Sequence, residues 1–160
     1  MIRARQAEAS DSAFIHTLSV RVQEALTHSG SLQQIGPIPP PIVADYIRQG
    51  YAVVAEAAGE RVGSVFVEPL RADQAALWGI PQADHRFLSR LMIEPSRRGQ
   101  GWGGDLVRAV QRQCAAQGRR IVLDCWVGSV KLRRLYAGLG FVLHGEFDED
   151  DYQIAVYLWS

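Results

Sequence analysis

The sequence predicts an α/β fold of the mixed α+β kind: a central mixed sheet flanked by helices. Three observations predict it. Segments of strand and helix character follow one another as β-α-α-β-β-β-α-β-α-β-β, without the strict alternation of a wholly parallel sheet. Two pairs of strand-like segments are joined by short polar turns, Ala58-Gly59-Glu60 and Asp148-Glu149-Asp150-Asp151. Finally, the apolar run Phe87 to Ile93 passes through a glycine-rich turn into a helix. The 160 residues are expected to form one domain over 1–160. A chain of that size buries roughly 70% of its unfolded surface without metals or disulfides.

Taken in order, Ile2 to Gln6 alternates and reads as a first strand. Ser10-Asp11 suits a helix N-cap, and Ile15, Leu18, Val22 and Leu26 then mark one apolar face that ends near Gly30. Ser31 to Pro41 contains Gly36-Pro37-Ile38-Pro39-Pro40-Pro41, which cannot be regular because proline lacks an N–H and restricts its predecessor. Pro41 suits the first turn of a short helix through Gln49. Tyr51 to Ala57 and Arg61 to Glu68 form a hairpin. Leu70 to Asp84, which includes Trp78-Gly79-Ile80-Pro81, is expected to be a long connection. After the strand Phe87 to Ile93, Glu94-Pro95 ends the pairing, and Asp105 to Gln117 reads as a helix with Leu106, Val107, Val110 and Cys114 on its apolar face. Arg120 to Trp126 is a further strand. Ser129 caps a helix carrying Leu132, Leu135, Tyr136 and Leu139 on one face, and Gly140 stops it. Phe141 to Phe147 and Tyr152 to Trp159 close the chain as a hairpin.

The bulk properties exclude several classes. Seventeen basic residues balance seventeen acidic ones, so neither nucleic acid nor an anionic membrane is expected as a partner. Cys114 and Cys125 have no metal-ligand or redox spacing and read as buried free thiols. No metal is expected. No apolar run approaches spanning length, and Met1 to Arg5 lacks a signal-peptide core, so a soluble cytoplasmic protein is the expectation.

The informative stretch is Glu94 to Gly104, where two arginines and four glycines occupy the eight residues Arg97 to Gly104. A strand, a glycine turn and a helix N-terminus together make a phosphate cradle. Glycine lets backbone N–H groups approach the anion, and the first helical turn carries partial positive charge. A P-loop fails because Gly104 is followed by Asp105-Leu106 and not by Lys-Ser/Thr. Gly99-x-Gly101-x-x-Gly104 matches the dinucleotide fingerprint literally, and Asp124 follows 20 residues after Gly104. Yet Glu94 to Arg98 separate it from the strand, and only 36 residues follow Asp124, too few for a doubly wound nucleotide domain.

The remaining pattern, Leu91-x-Ile93-x-Pro95-x-x-Arg98-Gly99-x-Gly101, resembles the central motif of the GNAT superfamily of acetyl-CoA-dependent N-acetyltransferases. Downstream, Leu135-Tyr136-x-x-x-Gly140-Phe141 resembles that family's second signature. The resemblance covers Phe87 to Phe141 in detail and the rest by element order. It implies a mostly antiparallel sheet of about seven strands, in which Phe87–Ile93 and Ile121–Trp126 run parallel and splay apart. The gap would admit the pantetheine arm of acetyl-CoA. Main chain near Met92 and Ile93 would meet the coenzyme, and Arg98, Gly99, Gln100, Gly101, Trp102, Gly103 and Gly104 would hold its pyrophosphate. Whether Trp102 packs beside the coenzyme or caps the apolar face is left open. Ser129 stands where relatives commonly carry asparagine. Its hydroxyl can make one coenzyme contact, and helix capping alone also explains it.

Acetyl transfer to an amine needs the amine deprotonated, the thioester carbonyl polarised and the leaving thiolate protonated. The resemblance makes Tyr136 the general acid, although helical periodicity alone reads it as a core aromatic. The base is open. Asp84 and His85 are the nominated candidates, Glu94 and Asp124 are further carboxylates, and a water chain is an alternative. The link Ser31–Pro41 is expected to wall the acceptor site together with Trp78, Trp126 and the acidic hairpin turn, with Trp126 leaning to the core. The implied partner is a small-molecule or peptide amine, and a homodimer fits the family's habits. The alternative function within the same fold is a coenzyme-A-binding sensor without useful catalysis.

Overall fold

The computed structural model describes residues 1–160. Its seven strands form one sheet in the order β1-β2-β3-β4-β5-β7-β6. They are β1 (Arg3–Gln6), β2 (Ala52–Ala57), β3 (Glu60–Pro69), β4 (His85–Ile93), β5 (Arg120–Trp126), β6 (Val142–Glu149) and β7 (Tyr152–Trp159). All neighbours are antiparallel except β4 and β5. Between β2 and β3, Ala58 and Gly59 both hold positive φ, the backbone of a two-residue turn that matches strand twist.

Alternation along the strands sorts the helices onto two faces. Val53, Val65, Leu88, Leu123 and Tyr157 meet α4 (Trp102–Ala116) and α5 (Val130–Gly138) through Leu106, Val107, Val110 and Tyr136. On the other face Val54, Phe66 and Met92 meet Ile15, Leu18 and Val22 of α1 (Ser12–His28) and Val43 of α2 (Pro40–Gln49). Phe66, Leu18 and Leu106 are wholly buried, and each such side chain contributes about 2–3 kcal/mol. No helix is long and apolar enough to cross a membrane.

Three expectations require correction. Leu70 to Asp84 is not one long loop, because α3 (Ala72–Trp78) forms within it and buries Ala75 and Trp78 against Phe87 and Val122. At seven residues it is too short to show a helical period. Helix α4 starts at Trp102 instead of Asp105, so Gly103 and Gly104 lie in its first turn. Asp11 does not cap α1 with its side chain; it accepts from Glu8 N–H (2.8 Å) and pairs with Arg5 (2.7 Å) and Arg61 (3.2 Å). Those partners, Arg5 foremost, hold its carboxyl down at about 2.

The parallel pair is brief. His85, Arg86 and Phe87 align with Arg120, Ile121 and Val122, and beyond them β4 and β5 part. The cause is a bulge. The β3 partner of Ser89 is Phe66 and that of Met92 is Ser64, so Arg90 and Leu91 together oppose Val65. Arg90 takes a φ of 53° there. An extra residue bends the strand that holds it, so β4 turns off with β3 while β5 continues along β7.

Candidate active site

The splay leaves two open strand edges facing each other. On β5, Leu123 and Cys125 are paired with Tyr157 and Ala155, and the N–H of Val127 also turns to β7. By alternation the main chain of Asp124 and Trp126 points into the gap. The N–H of Trp126 donates to Oε1 of Gln33 at 2.6 Å. Gln33 is buried and comes from the irregular segment between α1 and α2. That segment is tied down from several sides. Gln23 accepts from the N–H groups of Ile35 (2.8 Å) and Gly36 (3.0 Å), Ser19 accepts from Ile38 N–H (2.9 Å), and Arg90 Nε donates to Ile35 C=O (3.2 Å). Ser31–Pro39 thus straps the gap on the α1 face. Sequence reasoning missed Gln33; the one available signal was that a proline-rich segment must find side-chain partners for its main chain.

Ile93 offers the gap its main chain, because the N–H of Glu94 donates to Val62 C=O (2.8 Å) and alternation turns Ile93 the other way; Met92, expected to meet the coenzyme as well, is instead paired through its main chain with Ser64 of β3. Past them, Gly99 and Gly101 take φ of 84° and 76°, a conformation costly for any residue with a Cβ. Gly101 is the N-cap of α4 and brings no side-chain acceptor, so the first-turn N–H groups of Trp102, Gly103 and Gly104 stay free for an anion. Gly99, Gln100 and Gly101 are exposed, as is Arg98, which has no ion-pair partner. The Trp102 side chain is not part of this cradle. It is buried in the α4 core with Arg97 over its ring at 5.0 Å, while Arg97 also pairs with Glu60 (2.9 Å).

Tyr136 lies on α5, its ring packed with Phe141 and Tyr157. Burial raises its phenol strongly, and nearby Cys125 and Asp124 add to the shift. It therefore stays protonated at any working pH. Ser129 accepts from Leu132 N–H (3.3 Å) and so caps α5. Burial also raises both thiols, Cys125 to about 12.

The carboxylates divide. Asp84 and His85 sit at the closed end of the parallel pair, where Asp84 is exposed beside Arg119 (3.8 Å) and His85 contacts Ala83 C=O (3.0 Å). They stand about eight residues, roughly 25 Å, from Ile93 along β4, so the geometry does not bring them to the gap. Glu94 is taken by Arg21 (2.5 Å). Asp124 alone stands in the gap. It has no ion-pair or hydrogen-bond partner, and burial, with Glu149 adding, pushes its carboxyl up to about 7 against the pull of Arg90. Of the expected acceptor walls, Trp78 belongs to the α3 core. Trp126 is half-buried, and its ring rests on Gly128, where a Cβ would come within 2.4 Å of it. It is a rim residue and not the core residue expected. No cluster of three His, Cys, Asp or Glu is placed to hold a metal ion.

The family model for the acetyltransferase (GNAT) domain matches residues 48–143. A GNAT-family acetyltransferase of Listeria monocytogenes has a similar structure, with a TM-score of 0.80 at 20% identity over 98% of this chain and 93% of that one. YncA of Salmonella typhimurium, solved with its cofactor acetyl-CoA, aligns at 0.73 and 15% identity over 99% and 92%. RimL, a ribosomal alpha-N-protein acetyltransferase in complex with coenzyme A, aligns at 0.73 and 17% over 98% and 92%. No protein of curated function matches in sequence.

Proposed function

The chain belongs to the GNAT family of acetyltransferases, and from that membership we propose that it transfers the acetyl group of acetyl-CoA to a primary amine of a small molecule or peptide. The observation that carries the proposal is the unpaired stretch of β4 and β5 leading to the uncapped N-terminus of α4. An extended arm needs donors and acceptors along its length, and a pyrophosphate needs fixed N–H groups. This chain has both in line.

The residues fit the coenzyme. Open main chain at Ile93 suits the pantetheine amides. Trp102, Gly103 and Gly104 N–H groups, with Gly99, Gln100, Gly101 and Arg98, suit the pyrophosphate. Ser129, already spent on capping Leu132, keeps one donor proton for a further contact. Bound there, acetyl-CoA supplies a thioester open to direct amine attack. Tyr136 would hold its proton near the sulfur and give it to the departing thiolate, whose pKa of ~8.5 lies well below that of the buried phenol. That difference makes complete proton transfer uphill, so the phenol acts first as a hydrogen-bond donor that lowers the charge cost at the departing sulfur, and the proton it gives up is restored from solvent.

Calorimetric titration with acetyl-CoA and, separately, NAD tests this on the wild type and on a Gly101→Asp, Gly103→Asp double variant. Acetyl-CoA is expected to bind the wild type and not the variant, and thiol release in an amine library then separates enzyme from sensor. Binding of NAD but not acetyl-CoA would overturn the proposal.

A further inference from the structure

The face of the gap opposite α4 and α5 holds three polar groups with unfilled capacity: a hydroxyl and a carboxylate without partners, and a guanidinium without an ion pair. Continuing the register of Phe87 and Val122 by two residues sets Ser89 of β4 opposite Asp124 of β5, on one face of the sheet. The Ser89 hydroxyl is buried without a partner. The Asp124 carboxylate is half-buried and likewise unpaired. The third group is Arg90. Regular alternation would send it into the α4 core, but the bulge returns it to the Ser89 face, over Phe66 at 5.9 Å. Its Nε is fixed by Ile35 C=O, and it makes no ion pair. A non-glycine residue at a φ of 53° inside a strand is strained by about 1–3 kcal/mol, and such strain collects at sites of function.

A half-buried arginine and a half-buried carboxylate on one face normally pair. Here Arg90 is felt by Asp124 but lies beyond the 4 Å of an ion pair, with an unsatisfied hydroxyl beside it. Opposite charges held apart fit a ligand that carries both.

We propose that Ser89, Arg90 and Asp124 form the acceptor subsite for a free amino acid or similar zwitterion, with Arg90 taking the carboxylate and Asp124 the amine. The proposal rests on the acetyl-transfer reading. The ammonium first gives one proton to solvent on entering the gap. As nitrogen bonds to the acetyl carbon and the C–S bond breaks, Asp124 accepts the second proton while Tyr136, on the other face, supplies one to sulfur. Asp124 is suited to this by its surroundings. Burial and Glu149 raise its carboxyl and Arg90 opposes them, with Tyr152, Tyr136 and Cys125 as its other titratable neighbours. A base near neutrality is expected, active above its own pKa.

The test compares amino acids with their decarboxylated twins, such as phenylalanine with phenethylamine and leucine with isoamylamine, across the twenty proteinogenic side chains. Binding is read by calorimetry and turnover by thiol release. At least one amino acid is expected to bind about 10-fold or more tightly than its twin. Arg90→Gln should abolish that preference, read as the ratio of the two affinities so that any loosening of the strap cancels, while Arg90→Lys retains part of it. Asp124→Asn should lower kcat about 100-fold or more and remove the limb of the pH profile that rises near pH 7, a readout that a structural role would not move. Carboxyl carbon NMR of the wild type should show a titration that Asp124→Asn lacks. Melting temperatures confirm that each variant folds. If acetyl-CoA binds but no amino acid outranks its twin, or if Arg90→Gln weakens both twins equally, the subsite is overturned and the acetyl-transfer reading stands. If acetyl-CoA does not bind, it is the parent reading that fails.

Discussion

At the scale of single residues, the site depends on groups whose partners are missing from the protein. The ring of Tyr136 is fixed by Phe141 and Tyr157, so its hydroxyl can be removed without opening a cavity. Tyr136→Phe is therefore expected to lower kcat about 100-fold, the low end of the range for a general acid. The Kd for acetyl-CoA should stay within about 2-fold, as calorimetry beside steady-state thiol release would show. An equal loss in both would make Tyr136 a packing residue only. The place of Tyr136 on the buried face of α5 was legible from helical spacing, and the role proposed for it rests on the spaced motif that surrounds it. Gln33 was not legible, since its partner Trp126 lies 93 residues away and nothing local marks a side chain that caps a distant strand edge. Asp84 and His85 misled for a related reason. They precede the right strand, but the sequence does not say which end of a parallel pair opens.

At the scale of elements, periodic segments came out as expected and special backbone did not. Strand β5 runs Arg120–Trp126 as read, the apolar faces of α1 and α4 turn to the core as their spacing implied, and that of α5 buries Tyr136 fully and its leucines in part. The bulge that swings β4 away carries no glycine or proline, so Ser89-Arg90-Leu91 looks like ordinary strand. The strap Ser31–Pro39 was correctly read as irregular, but its fastening to Gln23, Ser19 and Arg90 was out of reach. Gln33→Ala tests that fastening. It should leave Trp126 N–H unpaired, cost about 1–3 kcal/mol, and speed amide hydrogen exchange at Trp126, Ile35 and Gly36. Unchanged exchange at Trp126 would mean that the strap is held without Gln33.

At the scale of the whole molecule, the mixed sheet and its order of elements followed from the alternation of strand and helix signals, and the splay followed from the family resemblance. A ligand that joins both open edges binds only the folded chain, so its binding energy adds to stability. Acetyl-CoA at about 100 times its Kd should contribute ~2.7 kcal/mol. For a chain of this size that raises Tm by roughly 5–10 °C, to be read in a thermal melt against coenzyme concentration. NAD at the same concentration should leave Tm unchanged.

The three residue pairs that join β4 to β5 also make the sheet a lever. Strands β1 to β4 form one plate and β5 to β7 the other, pinned at His85–Phe87 and Arg120–Val122. Arg120 N–H donates to Asp84 C=O at 2.7 Å just outside that pin, with the Asp84–Arg119 pair beyond it. A small rotation at such a fulcrum becomes a large displacement at the far tips, where Ile93 and Trp126 stand. Asp84 and His85 thus stand at the pin of the mouth and not at its opening, while the shared core under α4 and α5 holds the two plates at a fixed width.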